Sequence, residues 1–234
     1  MEDVQKKVIV IDEARSEIVG ELMRNVYIWM AGGLSLTGLI AWWVAGSPEM
    51  INFIFGSKVV FWGLIIAEFA LVLILTAMLD SMSFLTSSIC YVVYCALNGL
   101  LLSSIFLVYE IGSIGQVFFV SAGMFAVLAF IGTVTKKDLS RWGTFLTMAL
   151  VGIIIASAVS LLMGRPESIW ITIIGVLVFA GLTVYDAQKI RLIMLNQETI
   201  NEGSMKLALL GALALYLDFI NLFLKLLSLL GKKK

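Results

Sequence analysis

The fold that the sequence predicts is an all-α membrane protein, a single bundle of seven transmembrane helices. Three observations carry that prediction. The 234 residues are 61% hydrophobic and only 14% charged, where a soluble domain carries about 25% charged residues. The apolar residues gather into runs long enough to cross a hydrocarbon core of roughly 30 Å at about 1.5 Å per helical residue. Seven such segments occur, over 26–45, 59–79, 88–108, 114–134, 143–163, 169–188 and 207–230, and the connections between them are short. The chain divides accordingly into a tail over 1–25, a transmembrane domain over 26–230 and a basic tail over 231–234.

The leader Ile11–Arg24 sets Ile18, Val19, Leu22 and Met23 among acids and Arg15. That spacing predicts a short amphipathic helix lying at the membrane surface. The first segment starts near Val26 behind this acid-rich tail, unlike a signal peptide with its short basic start, so it is expected to stay in the mature chain. The second segment, Val59–Leu79, has one charge, Glu68. The third holds Cys90 and Cys95, about 140° apart around a helix axis, which suits two buried small side chains and not a disulfide. Ile114–Val134 and Gly143–Met163, the fourth and fifth, have no charge at all. Asp186 lies near the end of the sixth, while Asp218 and Lys225 lie within the seventh. Pro48 and Pro166 both fall in connections, as helix breakers should.

Lys and Arg in short loops set orientation. Lys6, Lys7, Arg15 and Arg24 precede the first segment; Lys136, Lys137 and Arg141 join the fourth to the fifth; Lys189, Arg191 and Lys206 join the sixth to the seventh. The other side offers Lys58 and Arg165 before the C-terminus, so the N-terminus is expected in the cytoplasm. Lys232, Lys233 and Lys234 oppose this if the seventh segment crosses fully, and agree with it if that segment re-enters. Seven full spans are expected, with the late charges tolerated. A net charge of zero gives no sign of a nucleic-acid partner.

Function is sought in the charged residues within the bilayer, because an ionisable group at its centre costs roughly 2.5–3.5 kcal/mol or more to insert. Glu68, Asp186, Asp218 and Lys225 would sum to −2 if all were ionised. Desolvation and like-charge repulsion oppose that, so at least one acid is expected to hold a proton near neutral pH. If Asp186 and Asp218 face each other they titrate as a coupled pair, and losing the shared proton turns a hydrogen bond into repulsion. Three carboxylates with Asn98 and Asn221 nearby also suit a loosely held, hydrated cation: calcium takes six to eight oxygens, though magnesium or a proton could use the same groups. Each residue has a plainer role open to it. Asp186, beside Gln188, Lys189 and Arg191, fits an interfacial residue; Lys225 is near enough to the segment end to snorkel; Glu68 and Asp218 suit helix-to-helix hydrogen bonds.

Several stretches resemble the transmembrane Bax inhibitor motif family. GLTVYDAQKI (181–190) and LALYLDFINLFLKLL (213–227) are similar to its last two helices, residues 96–146 to its third-to-fifth helix region, and VYIWMAGGLSLTGLIAW (26–42) to its start. The resemblance covers nearly all of the chain from Arg24 onward. It implies seven helices with the seventh enclosed by the other six, and a pH-sensitive calcium leak without a bound cofactor. It further implies that Asp186 and Asp218 are a proton-sharing pair, and that Glu68 in AEFALVLIL (67–75) belongs to the ion path. Some relatives carry an arginine late in the second helix that pairs with a pore aspartate. TAMLDSMS (76–83) has no basic residue there, so that latch cannot operate; Lys225 is the nearest substitute the sequence offers.

Two enzyme-like or cofactor-bearing classes fit poorly. Intramembrane aspartyl proteases pair Tyr-Asp on one helix with Gly-x-Gly-Asp on the next; Tyr185–Asp186 matches the first, but Leu215–Tyr216–Leu217–Asp218 lacks the glycines. A retinal pump would find a lysine in Lys225 but no acidic counter-ion in the third segment. No enzyme activity is expected. The expected partners are the lipid bilayer, calcium and protons; the expected place is a bacterial cytoplasmic membrane, or the endoplasmic reticulum of a eukaryotic cell. The alternative function is a membrane interaction protein that modulates a membrane protease or cell-death and stress machinery, which the resemblance also implies.

Overall fold

Apolar runs with their breakers in the loops become helices, and the computed structural model, which describes residues 2–164 and 168–234, has little else. The elements are α1 (Glu2–Ala45), α2 (Pro48–Gly56), α3 (Lys58–Ala77), a 3-10 turn (Leu79–Ser81), α4 (Phe84–Leu102), α5 (Ile105–Val108), α6 (Ile111–Val134), α7 (Ser140–Leu162), α8 (Ile169–Leu195) and α9 (Glu202–Leu230). Seven stretches are long and apolar enough to span a membrane: one in α1, then α3, α4 with α5, α6, α7, α8 and α9. The protein is an all-α, multi-pass integral membrane protein. Arg165 and Pro166, read above in the fifth connection, lie outside the described residues.

Two expectations about element bounds are corrected. The leader is not a separate surface helix: it continues into the first span as α1. Val19, Leu22, Val26 and Met30 are all buried and follow one stripe across the anticipated boundary, and no proline interrupts it. The last two spans are also longer than the apolar runs alone indicate, at 27 and 29 residues. The charged ends of α8 and α9 remain helical because Lys, Arg, Glu and Gln are good helix formers. Asp186 therefore lies nine residues inside α8, not at its edge. The seventh span is one uninterrupted helix of 29 residues.

The chain forms two compact units. In the first, Met1–Leu102 with Ile190–Leu213, α1 and α4 approach closely where their side chains are smallest. A Cβ on Gly99 would lie 2.8 Å from the Thr37 carbonyl, and one on Gly33 would press on the Tyr91 ring. The Thr37 hydroxyl donates to the Cys95 carbonyl (2.8 Å) and the Tyr91 hydroxyl to the Trp29 carbonyl (2.9 Å). Cys95 is buried and Cys90 half-buried, and both are free thiols. The short helix α2, which the hydrophobic pattern did not separate, starts at the Ser47 cap with Pro48 in its first turn; Ser57 then caps α3.

The second unit is Ser103–Lys189 with Ala214–Lys234. Its core includes an aromatic cluster in which Phe219 meets Phe118 and Phe125 edge-on, each at 5.5 Å. The basic tail does not trail free. The Glu110 N–H donates to the Lys232 carbonyl and the Lys234 N–H to the Val108 carbonyl, both at 3.0 Å, and the Lys232 ammonium pairs with Glu110 at 2.9 Å. Of the seven spans, α9 is the most enclosed: 67% of its most apolar stretch is buried, against 39% or less in the others.

Candidate functional site

Both aspartates belong to the second unit, and its packing explains how Asp186 is aimed. The residues on either side of it are committed elsewhere. A Cβ on Gly132 of α6 would collide with the Val184 carbonyl and come within 2.9 Å of Ala187, so α6 and α8 touch backbone to backbone there. The Tyr185 ring lies over Gly143 of α7, where any side chain would overlap it. Gln188 is buried and spends its amide on the connection before α7, donating to the carbonyls of Thr135 (2.9 Å) and Lys137 (2.8 Å) and accepting from the Leu139 N–H (3.1 Å). With 184, 185, 187 and 188 held in this way, the rotation of α8 is fixed. Asp186 is half-buried, and its carboxyl faces that of Asp218.

Asp218 is only 5% exposed. Its neighbour Phe219 is clamped by Phe118 and Phe125, which sets the rotation of α9 as the glycines set that of α8. The Asp218 Oδ2 is buried and has no hydrogen-bond partner. Two facing carboxyls can hydrogen-bond only while one of them holds a proton.

The other sequence-selected residues are distributed less simply. Asn221 donates its amide to the Leu217 carbonyl of its own helix at 2.8 Å, a local bond that does not need the pair. Lys225 lays its aliphatic stem over Gly175 of α8, its Cγ, Cδ and Cε 3.1–3.2 Å from where a Cβ would stand. Glu68 and Asn98 belong to the first unit, where their side chains hydrogen-bond to each other, and the Glu68 Oε1 is buried without a hydrogen-bond partner. Among the described residues no three Asp, Glu or Cys side chains gather into a metal-holding group. Within the second unit the aspartate pair offers two carboxyls.

Sequence reasoning missed Gly132, Gly143, Gly175 and Gln188, which position the pair. Gln188 carried a usable signal, an amide two residues from Asp186 in an apolar helix, but it reads there as an interfacial flank.

A seven-span helical membrane protein with two facing carboxyls on its last two helices is the class that fold and site define. The chain belongs to the family described as Inhibitor of apoptosis-promoting Bax1, whose model matches residues 19–234. It is 45% identical over 214 residues to the Inner membrane protein YbhL of Escherichia coli (strain K12), an alignment covering 91% of this chain and 92% of that one. Uncharacterized proteins of Deinococcus radiodurans and Borreliella burgdorferi are similar at 37% over 211 residues and 36% over 220, covering 90% of both chains in the first case and 93% and 94% in the second.

Proposed function

We infer that this protein is a pH-sensitive calcium leak in which Asp186 and Asp218 share a proton and act as the gate. The placing of their two carboxyls side by side, Asp218 buried, carries the reading. With a proton the two helices are tied; without it two like charges face each other in a medium of low dielectric, which is strongly unfavourable. A passing calcium ion would find two carboxyls and complete its shell of six to eight oxygens with water, an arrangement for transit and not for storage. Glu68, with its one buried free oxygen, is assigned to the ion path. The likeness to an inner membrane protein supports a bacterial cytoplasmic membrane, and the Lys and Arg of the loops support a cytoplasmic N-terminus. No catalytic role is assigned to any residue.

The test is calcium flux into liposomes holding the purified protein and an internal calcium dye, measured across pH beside Asp186→Asn/Asp218→Asn. Flux that titrates in the parent and not in the double variant supports the gate. Identical titration of the two removes it. A parent silent at every pH removes the leak itself and favours the interaction-protein alternative.

A further inference from the structure

The first two turns of α9 bond within the first unit to the connection between α3 and α4. The Lys206 ammonium donates to the carbonyls of Leu79 (3.0 Å), Asp80 (3.4 Å) and Met82 (3.0 Å). One turn earlier, the Glu202 carboxylate accepts the Phe84 N–H at 2.7 Å. These bonds match what each helix end lacks. Carbonyls are left without intrahelical partners where a helix ends, and N–H groups where one begins. A cation belongs at the first and an anion at the second. Local capping does only part of the work: Ser83 takes the Thr86 N–H at 3.2 Å and leaves Phe84 to Glu202. The segment 76–83 has no basic side chain of its own, and the one it receives comes from α9.

We propose that Glu202 and Lys206 are positioning residues that latch α9 to the end of α3 and the start of α4 and so hold the leak closed. This rests on the leak assigned above, because α3 carries Glu68 and α9 carries Asp218. Movement of α9 along or away from α3 strands the Asp80 and Met82 carbonyls and the Phe84 N–H unless the latch moves with it, while the Leu79 carbonyl keeps the Met82 N–H. Both latch side chains spend their bonds on the 79–84 backbone, so they set how far the closed state is favoured and leave the protonation of the aspartate pair alone.

The test uses the full chain in calcium-dye liposomes, with Lys206→Met, Glu202→Ala and Lys206→Arg beside the parent, together with amide hydrogen exchange. Lys206→Met and Glu202→Ala should raise the leak roughly three- to tenfold, the factor that one or two net hydrogen bonds represent. Both should speed exchange over 79–84 by about tenfold. The pH midpoint should stay at the parent value, and Lys206→Arg, which keeps the donors, should behave as the parent. Should Lys206→Met fail to fold, Glu202→Ala, an exposed position, decides alone. Faster exchange with an unchanged leak, unchanged exchange, or a shifted midpoint each overturns the latch while the parent's flux stands. A parent without flux removes the leak and the latch together.

Discussion

The proposed gate needs one proton between two carboxyls, which would make Asp186 and Asp218 one titrating unit and not two independent groups. Single and double substitutions should therefore fail to add. Asp186→Asn and Asp218→Asn should each reduce the change of leak across the titration to about twofold or less, as far as the double variant does. If the single effects multiply instead, the proton is not shared. Asp138 makes a different pH prediction, outside the membrane. It is fully exposed and accepts both the Ser140 N–H (2.9 Å) and the Ser140 hydroxyl (2.6 Å) where α7 begins. These bonds hold its carboxyl below the usual aspartate value. A depressed folded-state value means the carboxylate stabilises α7 at pH above the ordinary value and ceases to as pH falls through the lowered one. Asp138→Ala should lower the melting temperature in detergent at neutral pH and match the parent once both are acidified below the folded-state value. An equal deficit at both pH values would show that the cap does not depend on charge.

The helices α6, α7 and α8 place the pair through close contacts that have clear mutational consequences. Gly132→Ala puts a methyl into the Val184 backbone carbonyl, where nothing flexible can yield, and should cost about 1–3 kcal/mol through a shift of α8. Gly152→Ala in α7 meets open space and should be neutral or stabilise by at most about 1 kcal/mol through helix propensity. Gln188→Ala strands two carbonyls and an N–H near the start of α7 and should cost about 1–3 kcal/mol. Unfolding in micelles reads all three, and a Gly132 variant as stable as the Gly152 one would deny the backbone contact. These positions also mark where the sequence stops being legible. Run length located every span, and the cost of burying charge singled out both aspartates. Which of 20 glycines faces a neighbouring backbone depends on helix rotation, a tertiary property that a featureless apolar face does not encode. The ends of α1, α8 and α9 were misjudged for a related reason: hydropathy marks where a helix leaves the lipid, not where it stops being a helix.

Across the molecule, pairings within each unit order the loops by side of the membrane. Arg15 donates two bonds to the Leu195 carbonyl, at 2.6 and 3.1 Å, while Glu202 and Lys206 bind the 79–84 connection. The leader, the second connection and the sixth must then share a face, as an even number of crossings between them requires. The tail bonds to residues 106–113, the connection between the third and fourth spans, which belongs to the opposite face by the same count. That pairing bears on the three lysines that a cytoplasmic N-terminus would place on the non-cytoplasmic side. Lys232 is matched by Glu110 and the Lys234 ammonium by the Phe106 carbonyl at 2.7 Å, so two of the three are engaged after α9 has crossed. With Lys and Arg concentrated beside the leader and the fourth and sixth connections, the leader should face the cytoplasm. Single cysteines at Glu17 and Lys233 decide this in intact cells with a membrane-impermeant maleimide. The 233 position should label directly and the 17 position only after permeabilisation. Reversed labelling would keep seven spans and invert the orientation. Labelling of both from one side would mean that α9 does not cross, and the tail could not then reach residues 106–113.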